Sequence, residues 1–279
     1  YLSMSGPTRY EIDGERHYAT DVEGKAYPSV TTILGKTASE KSKNMLRNWN
    51  VKNPGGLEAA AARGSAVHKA CEDYIRGIPV EIDEQYLPFW EGLSQHLDRY
   101  DHFIWSEKPL DPKWKFTTGS DGISRVWSHK YQFCGCPDFI GVRNGVMILG
   151  DFKTSNQPYC RYFPDKDNRQ NFTGWSKFTK CSMQLGAYSL AIKETLDLDI
   201  DAAQIVVSTP KTNQSFILRG DELQRFQQKW LQKVRRYWEM KEEERLAKKI
   251  LKDARDDLAS SQVSSEKSDK TDHCPATVS

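Results

Sequence analysis

Hydrophobic positions in the first hundred residues occur at two different spacings. In residues 1–36, hydrophobic and polar positions alternate in short runs broken by turn residues. This pattern predicts short strands, the last of them over 27–34. An Ala-rich stretch predicts a strong helix over 57–76, and a shorter helix is predicted before it at about 40–50. Apolar residues at helical spacing predict another helix over about 83–100. The N-terminal half is therefore predicted to be mainly helical behind a short stranded start.

The pattern changes after residue 103, where aromatic and β-branched residues alternate with turn residues. Residues 103–153 predict four or five strands of an antiparallel or mixed sheet. The later elements are predicted to be a loop-rich segment over 154–176, a helix over 178–194, strands over 204–209 and 215–218, a long helix from Asp221, and a polar, disordered tail over 259–279. This order of elements predicts an α/β fold.

Composition and charge narrow the class of protein. With 38% hydrophobic and 28% charged residues, the chain has the balance of a globular protein. A formal net charge of +2 disfavours binding of nucleic acid through overall charge alone and favours a shaped site with a few cations. Because no run of about 18 apolar residues is present, we expect no membrane span and no membrane partner.

The cysteines bear on metal binding and on location. Six cysteines are scattered along the chain without a Cys-x-x-Cys pair, so zinc-ribbon spacing is absent. Free thiols and the lack of a secretory signal favour an intracellular, cytoplasmic protein. A targeting segment missing before Tyr1 would instead allow a mitochondrial location.

A hairpin turn sets the position of the candidate chemistry. Asn144-Gly145 favours a two-residue type I′ turn. Counting outward from this turn pairs Arg143 with Val146 and, at the far end, Asp138 with Asp151. Cross-strand partners have Cβ atoms about 4.5–5.5 Å apart, and Lys153 projects from the same face as Asp151 because side chains alternate along a strand.

The surroundings of these carboxylates favour a metal ion. Both strands are apolar on both faces, which is typical of buried central strands. Two like charges placed opposite each other there are destabilising unless they are neutralised. Lys153 can offset one carboxylate, whereas Mg²⁺ or Mn²⁺ would offset both. The alternative is a pair of solvated Asp side chains with a salt-bridging Lys.

These residues resemble a known signature. Pro137-Asp138, twelve intervening residues and Asp151-Phe152-Lys153 resemble the PD-(D/E)XK nuclease superfamily. The upstream His68 and the Gln184-x-x-x-Tyr188 motif are similar to those of its RecB-like exonuclease branch, and the resemblance covers roughly residues 60–190. The stretch over 27–31 is further similar to mitochondrial genome maintenance exonucleases and their viral relatives.

The resemblance implies a fold and its regions. It implies an α/β restriction-endonuclease-like core, with a central mixed sheet flanked by helices. N-terminal strands and a helix over 1–56 would pack on a nuclease domain over 57–240, followed by a charged helix end and disordered tail over 241–279. If the chain is viral, its cytoplasmic location would be that of the host cell.

The resemblance also implies roles for individual residues. The metal ligands would be Asp138, Asp151, the backbone carbonyl of Phe152, the His68 ring and, as a further candidate, Glu107. Lys153 would position the attacking water, help to deprotonate it and stabilise the pentacovalent phosphate, which makes it catalytic together with the two Asp residues. Gln184 and Tyr188 lie on one helical face, which in the family meets the active site and the DNA backbone. Glu72, one turn after His68, either orients that ring or is solvated.

The implied function is metal-dependent hydrolysis of DNA by an exonuclease that acts on single strands or duplex ends, in recombination, repair or replication. The alternatives are an endonuclease or nickase on the same fold and a non-catalytic DNA-binding protein. The cysteine spacing predicts no iron–sulfur cluster, and the absence of a GxxxxGK[ST] loop predicts no ATP requirement. Protein partners are not indicated.

A basic, aromatic segment over 153–180 would contact the substrate. It contains six basic and two acidic residues, interleaved with aromatic side chains. Cations for phosphates and aromatic faces for bases are what a single-strand channel needs. The alternative is a loop that buries its own aromatic rings in a minor core.

Overall fold

The computed structural model describes residues 9–111, 122–164 and 172–268. Its helices are α1 (Val30–Lys36), α2 (Glu40–Lys52), α3 (Gly56–Ile75), α4 (Leu87–Leu97), α5 (Phe172–Leu196) and α6 (Asp221–Ser268). Its strands are β1 (Arg9–Ile12), β2 (Glu15–Ala19), β3 (Ala26–Pro28), β4 (His102–Ser106), β5 (Lys108–Pro109), β6 (Val126–Ser128), β7 (Phe133–Gly135), β8 (Phe139–Arg143), β9 (Val146–Thr154), β10 (Ala202–Ser208) and β11 (Asn213–Arg219). The predicted α/β class is confirmed.

A six-stranded mixed sheet forms the centre of the fold. Its strand order is β11-β10-β9-β8-β4-β5, in which β9 and β10 are parallel and the other neighbours are antiparallel. The face of the sheet that carries Phe139, Phe152 and Val206 packs against α3 and α4. Helix α5 also contacts β9 and β10. The sheet is therefore central and flanked by helices, as predicted, and β9 lies in its middle.

The β8–β9 hairpin has the predicted register. Asn144 and Gly145 have φ angles of 52° and 75°, the left-handed values that a type I′ turn requires. Arg143 pairs with Val146, and the pairing continues to Phe139 opposite Gly150. A Cβ atom on Gly150 would lie 1.8 Å from the Phe139 ring, so glycine is required where that ring crosses the neighbouring strand. The next positions along the two strands are Asp138 and Asp151.

In the N-terminal region one predicted element is wrong. The stretch over 27–34 was predicted to be a strand, but the strand ends at Pro28 and α1 begins two residues later. The Ser29 side chain accepts a hydrogen bond from the Thr32 N–H and caps α1. Val30, Ile33 and Leu34 then face the interior at the helical spacing i, i+3 and i+4. A side-chain cap therefore overrides the β-branched composition of this stretch.

Two further predictions about the elements need adjustment. The strands β6 and β7 pair with each other in a separate two-stranded sheet, so the segment over 103–153 does not form one sheet. Helix α5 begins at Phe172, inside the segment that was predicted to be loop-rich. Residues 112–121 and 165–171 lie outside the described part of the chain.

The described chain divides into two compact units, one that ends at Val234 and one that begins at Arg235. In the first unit the predicted apolar stripe of α6 is buried at Leu223, Phe226 and Trp230. The second unit is the remainder of α6, along which charged residues form pairs such as Arg245 with Glu242. The helix extends to Ser268, past the predicted start of the tail at 259, and residues 269–279 lie outside the described residues. No helix in the described ranges is both long and apolar enough to cross a bilayer.

Candidate metal centre

Four elements bring the predicted site residues together at one end of the central sheet. Asp138 directly precedes β8, whereas Asp151 lies in β9, the adjacent strand. His68 lies on α3, which packs against β9, and Glu107 occupies the turn between β4 and β5. Because β4, β8 and β9 are neighbours in the sheet, residues far apart in the chain meet here.

Asp138 is held between the backbone of β9 and the His68 ring. Its Oδ2 accepts a hydrogen bond of 2.8 Å from the Phe152 N–H. Its Oδ1 lies 3.7 Å from His68 Nδ1, and His68 Nε2 lies 2.9 Å from the Phe152 carbonyl oxygen. His68, Asp138 and the Phe152 backbone therefore form one contiguous group, and the carbonyl predicted to bind metal contacts the ring predicted to do the same.

Asp151 is fully buried and is paired with Lys153. Lys153 Nζ donates a hydrogen bond of 2.7 Å to Oδ1 and lies 2.6 Å from Oδ2. Burial raises the pKa of Asp151 to about 6, with the Lys153 charge opposing this shift and the Asp138 charge adding to it. Burial by itself lowers the pKa of Lys153, but the Asp151 carboxylate raises it more, so its net direction is upward. Lys153 is therefore a cation at neutral pH.

Glu107 is a fourth charged member of the site. Its φ angle of 57° is unusual for a residue with a side chain, and its N–H donates to the Asp138 carbonyl at 3.2 Å. The Cys136 thiol donates to its Oε2 at 3.2 Å. Burial and the nearby Asp138 charge raise the pKa of Glu107 to about 7. A carboxyl group held in this way gains most from a neighbouring cation.

His68, Glu107 and Asp138 are suitably placed to hold a divalent cation. One ligand atom from each lies within 4.8 Å of the others. Two carboxylate oxygens and one imidazole nitrogen fit a metal of the Mg²⁺ or Mn²⁺ type, and a positive ion would oppose both the burial and the Asp138 charge that raise the pKa of Glu107. This set differs from the predicted one, because it includes the further candidate Glu107, whereas the Asp151 carboxylate is engaged by Lys153.

Gln184 and Tyr188 form a buried pair on α5. Gln184 Nε2 donates to Tyr188 Oη at 2.9 Å. Burial, followed by the charges of Asp151 and Asp138, raises the pKa of Tyr188 well above its usual value. A Cβ atom on Gly135 would lie 2.2 Å from Tyr188 Cε1, so this glycine makes room for the ring. Tyr188 therefore lies within the electrostatic reach of the carboxylates, and Gln184 holds its hydroxyl group.

Two neighbours of the site, Glu72 and Cys136, make contacts that the sequence did not predict. Glu72 pairs with Arg76 at 3.1 Å, and the Arg76 guanidinium also donates to the Ser106 carbonyl. Glu72 is therefore ion-paired with Arg76, and its two predicted interpretations, orienting the His68 ring or being solvated, stay predictions. The contact between Cys136 and Glu107 has no local signal in the sequence, because the two residues meet only through the order of strands.

The described part of the basic, aromatic segment contains both buried and exposed aromatic rings, and its predicted contact with the substrate stays a prediction. Tyr159 and Phe178 are buried. The Phe163 ring contacts the Trp175 ring at 4.8 Å between centroids, yet Phe163 is 64% exposed and the adjacent Tyr162 is 77% exposed. Part of the segment is therefore a small core, and part presents aromatic faces to solvent. The charges at 165–171 lie outside the described residues.

The chain was compared with known proteins by two routes. No protein-family model matches it, and a search of curated proteins also finds no match. The geometry of the site is therefore the basis on which a function can be proposed.

Proposed function

We propose that this protein is a metal-dependent exonuclease that hydrolyses phosphodiester bonds of DNA, preferring single strands or duplex ends. One observation carries the proposal: the ligand group of His68, Glu107 and Asp138 lies beside a buried Asp151–Lys153 ion pair. Ligands for a divalent cation together with a fixed ammonium group are what hydrolysis of a phosphodiester requires.

Each group then has a distinct task. His68, Glu107 and Asp138 would hold the ion, which, when bound, supplies Lewis-acid activation and a contact for a phosphate oxygen. Lys153 stays protonated because of Asp151, so it acts by orienting the attacking water and by stabilising charge on the phosphate. This role as a charged donor is favoured over a role as the base that deprotonates water. Asp151 positions Lys153.

The proposed preference for single strands rests on the aromatic segment that follows Lys153 in the chain. Tyr162 and Phe163 present exposed rings, and such rings stack on bases without regard to sequence. An endonuclease or nickase would use the same chemistry, and it is the main alternative. A non-catalytic binding protein is disfavoured, because a buried Asp151–Lys153 pair contributes little to net stability but is well suited to catalysis.

The proposal is tested on linear and circular single-stranded DNA with Mg²⁺, Mn²⁺ or a chelator. We expect the wild type to digest the linear strand only when a metal is present, and Lys153→Ala to be inactive. Lys193→Ala is the matched control, since Lys193 is an exposed lysine paired with Asp197 and Asp199. Digestion that persists in the chelator would disprove the mechanism, and digestion of the circle would establish the endonuclease alternative.

Folding of the variants must be checked separately. Loss of Lys153 leaves the buried Asp151 charge unpaired, which costs about 3–5 kcal/mol in comparable proteins. Thermal unfolding therefore accompanies each assay, and Asp138→Asn, which removes a ligand but keeps the ion pair, provides a second inactive variant. An active, folded Asp138→Asn protein would contradict the proposed ligand set.

A further inference from the structure

Two cations from different helices converge on the end of β9. Arg63 of α3 donates from Nε to Thr154 Oγ1 at 3.1 Å and from Nη1 to Asn156 Oδ1 at 2.8 Å. Lys177 of α5 donates from Nζ to Ser155 Oγ at 3.0 Å. Three consecutive residues thus each offer one side-chain oxygen to these cations, and they directly follow Lys153 in the chain.

These two cations are close together, and the described residues provide neither of them with an acidic partner. Among the residues that the structure describes, neither Arg63 nor Lys177 forms an ion pair with a carboxylate. Burial and then the Arg63 charge lower the pKa of Lys177. Two partly buried like charges are unfavourable unless an anion offsets them. The arrangement therefore points to an anionic ligand.

Aromatic rings fix both side chains in place. The Arg63 guanidinium lies 4.7 Å from the centroid of the Phe89 ring, and Lys177 Nζ lies 5.9 Å from that of Tyr159. Both rings are buried. The Ser155 backbone N–H donates a hydrogen bond of 2.9 Å to the Ser208 carbonyl oxygen, which anchors the chain between the Arg63 and Lys177 side chains. Because these groups are already ordered, little conformational entropy is lost when an anion binds.

We propose that Arg63, Lys177 and the Ser155 hydroxyl form a phosphate-binding subsite, which holds a phosphate of the substrate strand next to the one that is cleaved. This inference rests on the proposed function and adds a second contact point for the same strand. A guanidinium fork, an ammonium group and a hydroxyl group are a donor set suited to phosphate. Two residues of extended chain separate Ser155 from Lys153, a distance of about 7 Å.

Two sources of phosphate share this chemistry. A terminal 5′-phosphate would occupy the subsite only when a strand has a phosphorylated end, and it would fix the polarity of digestion. An internal phosphodiester would occupy it in any strand. The two sources differ in their dependence on the end of the strand, so one experiment distinguishes them.

The experiment measures binding without hydrolysis. Fluorescence anisotropy in chelator, over a series of salt concentrations, compares wild type, Lys177→Gln and Lys193→Gln on three single strands: linear with a 5′-phosphate, linear with a 5′-hydroxyl, and circular. We expect Lys177→Gln to weaken binding about fivefold or more and to reduce the salt slope by about 0.7, the loss of one phosphate contact. Lys193→Gln should bind like the wild type, since its lysine serves exposed ion pairs.

The pattern across the three strands identifies the source. A loss confined to the phosphorylated linear strand assigns the subsite to a terminal phosphate, and an equal loss on all strands assigns it to an internal phosphodiester. Wild-type affinity and slope in Lys177→Gln would overturn the subsite, as would an equal loss in Lys193→Gln or no binding by the wild type. Arg63→Gln serves as a second variant, and thermal unfolding confirms that each protein is folded.

A parallel cleavage assay separates the two proposals. If the wild type digests the linear strand with Mn²⁺ while Lys177→Gln binds normally, the subsite fails and the proposed function stands. If Lys177→Gln binds weakly while no metal-dependent cleavage occurs, the phosphate contact stands and the nuclease proposal fails.

Discussion

Two oppositely charged groups lie at the same end of β9. They differ in whether a side chain of opposite charge pairs with them. The acidic group consists of His68, Glu107, Asp138 and Asp151. One of its carboxylates, that of Asp151, is paired with the Lys153 ammonium group. The cation pair, consisting of Arg63 and Lys177, has no carboxylate partner among the described residues. Burial and then the Asp138 charge raise the pKa of Glu107, and burial and then the Arg63 charge lower the pKa of Lys177.

Each of the two groups has an excess of one sign of charge that a ligand of the opposite sign would offset. Like charges held together reduce stability, and the fold could relieve each group with a single opposite charge. A divalent cation would offset the charge of the acidic group, and a phosphate would offset that of the cation pair. Under the proposed function, a metal-bound nucleic acid strand would supply both at once.

The largest expected effect comes from removing a ligand of the acidic group. Asp138→Asn should reduce metal-dependent hydrolysis by at least about 100-fold, since a bound metal contributes several kcal/mol to the transition state. It should also abolish the rise in melting temperature that Mn²⁺ causes in the wild type. The measurements are initial rates and thermal unfolding with and without Mn²⁺. If the rise in melting temperature is retained, the metal binds elsewhere and the acidic group is not its site.

The pH dependence of metal binding should come next. With a pKa of about 7 in the metal-free protein, Glu107 must release a proton when it binds metal. Affinity for Mn²⁺ should therefore fall below pH 7, by up to about tenfold per pH unit for one proton. Calorimetric titrations at pH 6, 7 and 8 measure this. Glu107→Gln should bind more weakly but with a flatter pH profile, and an unchanged profile would remove Glu107 from the ligand set.

The stability of the metal-free protein should follow the same pKa shifts. The pKa values of Glu107 and Asp151 are raised to about 7 and about 6. Because a carboxyl group with a raised pKa favours the folded state most when protonated, this contribution is present below the unfolded pKa and is lost as pH rises through the folded pKa. Between pH 4.5 and pH 7, metal-free Glu107→Gln should therefore lose less stability in urea denaturation than the wild type. Equal losses would contradict the shift.

A charge reversal in the cation pair should have smaller effects, which raise stability and weaken DNA binding. Lys177→Glu places a carboxylate beside Arg63, so we expect a gain in stability of about 0.5 kcal/mol, or about 1–2 °C in melting temperature. Binding of single-stranded DNA should weaken at the same time. Differential scanning fluorimetry and anisotropy measure the two effects. A variant that is less stable than wild type would show that the cation pair is not under electrostatic stress.

The smallest expected effect is at the thiol beside Glu107. Cys136→Ser keeps a donor for Glu107 Oε2, so the hydrolysis rate should change by less than about twofold. Cys136→Ala removes the donor and should shift the pH profile of metal binding slightly more than Cys136→Ser does. Rates measured at saturating Mn²⁺ compare the two. A large loss in Cys136→Ser would mean that the thiol does more than support Glu107.

Some features of this protein follow from its sequence by local rules. Asn144-Gly145 requires left-handed backbone, and from that turn the pairing runs to Phe139 opposite Gly150, which makes Asp138 and Asp151 the next residues on the two sides. The two-residue period of a strand places Lys153 beside Asp151. The Gln184–Tyr188 hydrogen bond likewise follows from the helical spacing of four residues. In each of these cases the relevant distance along the chain is short or is set by one tight turn.

Other features were decided by tertiary structure alone. Glu107 meets Asp138 because β4 pairs with β8, and a register shift between Phe103 and Trp105 changes which side chains face which way, so counting residues cannot predict the outcome. Arg63 and Lys177 come from separate helices and meet only because each packs near the end of β9. The sequence by itself thus determined the hairpin and its Asp–Asp–Lys face, since local geometry sets them. Which carboxylates share a cation, and where a phosphate can bind, depend on long-range packing.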